Sequence, residues 1–79
     1  MVIPVVDMKL TGRNIDALRR KSGISVRELQ NMFGFATPQA IYKWQRGETL
    51  PSLESLAALA CILGVHIDEI LSIDCHVGE

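Results

Sequence analysis

Gln39, Tyr42, Lys43 and Arg46 are the residues not needed for the core in a stretch where Ala40, Ile41 and Trp44 are. Their side chains suit the edges and phosphates of a nucleic acid. A glutamine amide can donate and accept in a bidentate pair with adenine, and a lysine can reach guanine acceptors or a phosphate. Tyr42 can hydrogen-bond a phosphate or pack on a sugar. Each good base contact is worth ~1–3 kcal/mol of discrimination. The same residues on an arbitrary helix would simply be its solvated face, with Trp44 in the core. What separates the two readings is the set of elements that must position them.

The segment from Ser25 to Gly47 reads as two short helices joined by a glycine turn. Ser25 followed by Glu28 is a capping box, with Ile24 and Leu29 placed as its hydrophobic staple. Leu29, Met32 and Phe33 form the inward stripe. Gly34 can take the left-handed conformation that ends the helix, and Phe35 can fold back toward Leu29. The next helix is expected over about 38–46, with Thr37 as its N-cap and Pro38 at the first position, where a missing N–H costs nothing. Ala40, Ile41 and Trp44 point inward, and Gly47 stops the helix. A bihelical unit of this kind sets its second helix in the major groove while the first braces across the backbone. The N-terminus of that second helix itself favours phosphate.

Three more helices surround this unit. One is expected from about Gly12 to Ser22, with Thr11 as N-cap, Ile15 and Leu18 inward, and Arg19, Arg20 and Lys21 in the last turn. Another starts after Ser52 and carries Leu53, Leu56, Ala57, Ala60 and Leu63 at helical spacing, closed by Gly64. A short one runs from about Ile67 to Ser72, with His66 at its N-cap. Residues 1–10 form an irregular or extended arm in which Pro4 limits pairing to an edge. Residues 11–73 form the folded domain and 74–79 a frayed tail. The fold class is therefore all-α, with five helices and a short extended N-terminal arm.

A chain of 79 residues with 48% hydrophobic and 22% charged residues fits one small folded domain. Its net charge of −1 hides a strong polarity. All eight Lys and Arg residues lie between Lys9 and Arg46, beside only Asp16 and Glu28, for a local balance of +6. From Glu48 to Glu79 there are six acids and no Lys or Arg. A basic front and an acidic back orient a protein toward a polyanion, although ordinary surface charge can also cluster.

Other chemistries find little support. No nucleophile–base–acid set is present: Ser22, Ser25, Ser52 and Ser55 read as caps or surface, and His66 and His76 lack a partner. Cys61 sits in an apolar helical pattern as a small core residue, and Cys75 lies exposed near the end. A Cys61–Cys75 disulfide is allowed by parity and disfavoured by a reducing compartment. No spacing of Cys61, His66, Cys75 and His76 matches a closed zinc site. No apolar run approaches the ~20 residues of a membrane span, and the start lacks a basic n-region and cleavage site. The expected location is the cytoplasm, with no metal, cofactor, small-molecule ligand or membrane.

The span from about Gly12 to Leu71 resembles the lambda-repressor/Cro-like helix-turn-helix family, also called the XRE family. The resemblance is carried by NIDALRRKSGIS, by REL in the second helix and by AIYKWQRGETLPSLESLAALACILGVHIDEIL. It implies a five-helix DNA-binding domain and a sequence-specific transcriptional regulator, in the first instance a repressor, acting as a homodimer on an inverted repeat of double-stranded DNA. It implies that Thr37, Pro38, Gln39, Tyr42 and Lys43 form the base-reading front, with Gln39 and Lys43 foremost. Ser25 and Arg27 would touch phosphates before it, and Arg46 and Thr49 after it. Three positions depart from the family. Val26 stands where a phosphate-binding glutamine is usual. The turn through Phe35-Ala36 is one residue longer. Gln45 stands where a glutamate often pairs with the arginine of the first helix, which predicts an Arg19–Gln45 contact. The dimer surface would be the last helix, the N-terminal arm or both; Ile67, Ile70, Leu71 and Ile73 equally suit the core. The alternative reading is a protein-interaction module of the same fold, antitoxin-like or accessory to a mobile element, with weak or no specific DNA binding.

Overall fold

The computed structural model describes residues 2–77 as β1 (Val2–Val6), α1 (Met8–Lys21), α2 (Val26–Phe33), α3 (Gln39–Arg46), α4 (Leu53–Leu63), α5 (Ile67–Ile70) and β2 (Ile73–Val77). The five expected helices are present, and a small sheet joins the two ends of the chain. β1 and β2 run antiparallel, with Val2 opposite Val77 and Val6 opposite Ile73. The arm, expected to be irregular or extended, is a strand over Val2–Val6, and the expected frayed tail is a strand as far as Val77. Pro4 is tolerated because it faces Cys75 at a ladder position that needs no N–H. Gly78 and Glu79 lie outside the described residues.

The first helix begins four residues earlier than the Thr11 cap predicted. Asp7 is the N-cap, and its carboxylate accepts from the Leu10 N–H at 2.9 Å. Met8, Lys9 and Leu10 are good helix formers, so the chain takes the earlier cap. Thr11 becomes a fully buried joint instead, its hydroxyl accepting from the Ser72 N–H at 3.0 Å. That bond also ends α5 early: Leu71 is already extended, at ψ 129°, and Ser72 leaves the helix for α1. His66 caps α5 through its backbone, with its N–H donating to the Glu69 carboxylate at 2.7 Å.

The core gathers Ile15, Leu29, Ile41, Trp44, Leu56, Leu59, Leu63 and Ile70. Phe33 and Phe35 stack on each other at 5.1 Å and meet the Trp44 ring edge-on. Four inward assignments are corrected. Met32 is 56% exposed. Leu53 is 79% exposed, and Ala57 is exposed beside it, because the buried face of α4 runs through Leu56, Leu59 and Leu63. Cys61 is also exposed, and it is a free thiol. α4 is apolar nearly all round, so spacing alone did not choose its face. The side chains of Cys75 and His76 lie outside the described residues. Among the described residues no group of His, Cys, Asp and Glu gathers as a metal site. No described helix is long and apolar enough to cross a membrane.

Candidate nucleic-acid interface

The interface starts from the way α2 and α3 are fixed. Ser25 caps α2, its hydroxyl accepting from the Glu28 N–H at 3.0 Å. The same hydroxyl donates to the Glu28 carboxylate at 3.2 Å, where the capping box expected Glu28 to reach the Ser25 N–H. Gly34 ends the helix at φ 70°, and the Phe35 N–H returns to the Gln30 carbonyl at 3.1 Å. The Gln30 amide donates to the Phe35 carbonyl at 3.2 Å, so the turn is closed twice.

α3 starts one residue later than the sequence suggested. Pro38, rather than Thr37, is the N-cap, and no side chain caps the helix. The proline side chain has no atom to accept from the first amides of α3, so they stay available. Ile41 and Trp44 anchor the helix in the core. Against α1 the backbones approach so closely that Gly12 lies under the carbonyls of Trp44 and Gln45.

Beneath α3, Arg19 ties three segments together while only 8% exposed. Its guanidinium donates to Gln45 Oε1 at 3.0 Å, to the Ile24 carbonyl at 2.8 Å and to Asp16 Oδ1 at 2.9 Å. The expected Arg19–Gln45 contact is therefore made. Asp16 also accepts from Arg20 at 3.0 Å. Burial pushes the Asp16 carboxyl up, but the hydrogen bonds from Arg20 and Arg19 and the charges of both outweigh it. Its pKa lies below the usual aspartate value.

With the frame held, the outward residues are Gln39, Tyr42 and Lys43, all exposed on α3. An open groove of ≈ 340 Å³ lies between α2 and the start of α3, lined by Val26, Arg27, Gln30, Asn31, Pro38 and Tyr42. It brings together Arg27, Pro38 and Tyr42 from the residues singled out in the sequence. Gln39 and Lys43 lie on the same short helix outside the groove lining, and Thr37 is exposed just before it. Ser25 is exposed but committed to Glu28. Arg46 is exposed but ion-paired with Glu48. Thr49 is exposed in the loop after α3. Gln30 and Asn31 were not picked out; their spacing of three and four from Arg27 on a helix was the signal that places them beside it.

A helix-turn-helix family model matches residues 15–70. Among solved structures, the chain is similar to the restriction-modification controller protein C.AhdI from Aeromonas hydrophila. The TM-score is 0.71 at 25% identity, over 81% of this chain and 96% of that one. It is also similar in fold to the DNA-binding domain of BldD, at a TM-score of 0.69 and 24% identity, over 82% of this chain and 93% of that one. The S. venezulae BldD DNA-binding domain gives the same TM-score and identity, over 96% of its length. A comparison with curated protein sequences gave no significant match. The matched span holds both helices of the α2–turn–α3 unit and the core that supports them, and the chain belongs to the lambda-repressor/Cro-like helix-turn-helix family.

Proposed function

We propose that the chain is a sequence-specific DNA-binding transcriptional regulator, a repressor, that sets α3 in the major groove and binds an inverted repeat as a homodimer. The observation that carries the proposal is the division of α3. Ile41 and Trp44 lock one face into the core, while Gln39, Tyr42 and Lys43 stand exposed on the other, beside a groove containing Arg27. Gln39, in the first turn, reads a base edge, and Lys43, one turn on, reads guanine or a phosphate. Arg27 and Tyr42 hold the backbone along the groove, and the uncapped amides after Pro38 add to the pull on phosphate. Thr37 and Thr49 flank the front as hydroxyl donors to the backbone. Ser25 can share its hydroxyl with a phosphate, and Arg46 can exchange Glu48 for one.

The similarity to a controller protein and to a DNA-binding domain supports the same reading. The work is done by binding, without catalysis, in the cytoplasm. The test combines selection of bound DNA from a random pool with a double substitution. Gln39→Ala with Lys43→Ala should abolish enrichment of a palindromic site and weaken specific binding by ~2–6 kcal/mol, two contacts' worth. The circular dichroism melt should be unchanged. An interaction module would enrich no site at low salt.

A further inference from the structure

A dimer on an inverted repeat needs a two-fold contact, and the sheet offers one. Among the described residues β1 and β2 pair with each other and with no other strand, so each keeps an outer edge. The two edges are not alike. The Asp7 N–H donates to the Ser72 carbonyl at 2.8 Å, and Asp7 and Ser72 continue the register of the ladder. They are therefore a hydrogen-bonded pair. Pairs alternate along an antiparallel ladder. Val5 with Asp74 and Ile3 with His76 are hydrogen-bonded, whereas Val6 with Ile73, Pro4 with Cys75 and Val2 with Val77 turn their backbone groups outward. On β1 that outward row is broken at Pro4, which has no N–H. On β2 the row is intact: Ile73, Cys75 and Val77 each present an N–H and a carbonyl. β2 is the edge that can accept another strand.

The sequence of β2 names the strand it accepts. Ile73-Asp74-Cys75-His76-Val77 runs apolar, acid, thiol, base, apolar. Antiparallel pairing with itself about Cys75 sets Ile73 opposite Val77 and Asp74 opposite His76 of the second copy, and the reverse. The acid–base pairs fall at the non-hydrogen-bonded positions, where facing residues come closest. A carboxylate facing an imidazole, which can donate an N–H to it, favours this register. A slip of the register toward the helices would set Asp74 opposite Asp74, which like-charge repulsion penalises.

We propose that β2 pairs antiparallel with β2 of a second copy about Cys75, giving a four-stranded sheet, β1-β2-β2-β1, across the dimer axis. The ribbon is built for such an extension. Ile3, Val5 and Ile73 are 49%, 46% and 53% exposed, and two strands alone are marginal where three or more are stable. The inference rests on the homodimer of the proposed function but on none of its DNA contacts, so it is tested without DNA.

Sedimentation of the full chain should show a concentration-dependent dimer. Asp74→Lys should weaken it about tenfold, as expected for the loss of two cross-strand carboxylate–imidazole pairs. The exchange Asp74→His with His76→Asp should restore it. In a Cys61→Ser background a short bis-maleimide should join two copies through Cys75. Melting curves of each variant report whether the helical body still folds. A monomer at all concentrations, a dimer indifferent to Asp74→Lys, or no cross-link at Cys75 in a dimeric sample would each overturn the pairing. DNA binding measured in parallel separates the two readings: a dimer through β2 that binds no DNA rejects the reading face and leaves the ribbon standing.

Discussion

A methyl group added at Gly12 would meet the carbonyl oxygen of Gln45 at 2.7 Å and come closer still to that of Trp44. Both oxygens belong to the backbone of α3, so neither can swing aside as a side chain would. The relief open to the protein is to part α1 from α3, which tilts the helix that carries Gln39 and Lys43. Gly12→Ala should therefore destabilise the fold by ~1–3 kcal/mol or more, the usual cost of overpacking. For a domain of this size each 1 kcal/mol lowers the midpoint by about 4–8 °C. Thermal denaturation followed by circular dichroism checks it, and an unchanged midpoint would mean that the helices do not cross this closely. The position is easily misjudged from sequence, because alanine is ordinarily the better helix former. Only the crossing of two backbones makes glycine obligatory there.

At the scale of elements, the joint between α1, α5 and β2 hangs on Thr11. Its hydroxyl is the partner of the Ser72 N–H, and its own N–H continues α1 by donating to the Asp7 carbonyl at 2.9 Å. Thr11→Val keeps the shape and removes the acceptor. An orphaned buried amide costs ~1–3 kcal/mol. The substitution should lower stability by that amount and speed hydrogen exchange at Ser72 and along β2 more than within α3. Uniform exchange rates through the chain would contradict it. The same joint shows why some elements were legible and others were not. The caps at Ser25 and Ser52 and the stops at Gly34 and Gly47 depend on residues a few positions apart and could be read directly. The Arg19–Gln45 bond joins residues 26 positions apart and was implied only by the family resemblance. The extended arm was legible, but its pairing and the second strand were not, because Val2–Val6 and Ile73–Val77 pair across the whole chain and neither segment signals its partner locally. Thr11 looked like a cap because its true partner, Ser72, lies 61 residues away. On the candidate site, α3 was legible from its alternation of core and polar residues. The contribution of α2 through Gln30 and Asn31 emerged only once the two helices had been set side by side.

For the whole molecule, charge decides how binding should respond to salt. The net charge of −1 predicts little attraction to DNA, yet every Lys and Arg lies between Lys9 and Arg46. Of the cations near the proposed reading face, Arg27 and Lys43 are ready for phosphates or bases, and Arg46 adds a contact only when it leaves Glu48. Each phosphate neutralised adds about 0.9 to the fall of log affinity with log salt on duplex DNA. A dimer presenting Arg27 and Lys43 from each copy should therefore show a slope of roughly −4, and a single copy about half of that. Fluorescence anisotropy on a selected site at several salt concentrations measures the slope. Arg27→Ala should reduce the dimer slope by about 2, one contact per copy, while leaving the preferred sequence unchanged. Lys43→Ala should also flatten the slope if Lys43 meets phosphate, but relax the preference at one position of each half-site if it meets a base. A slope near zero would mean that the basic front does not face the phosphates, and the α3 face would then serve a protein partner.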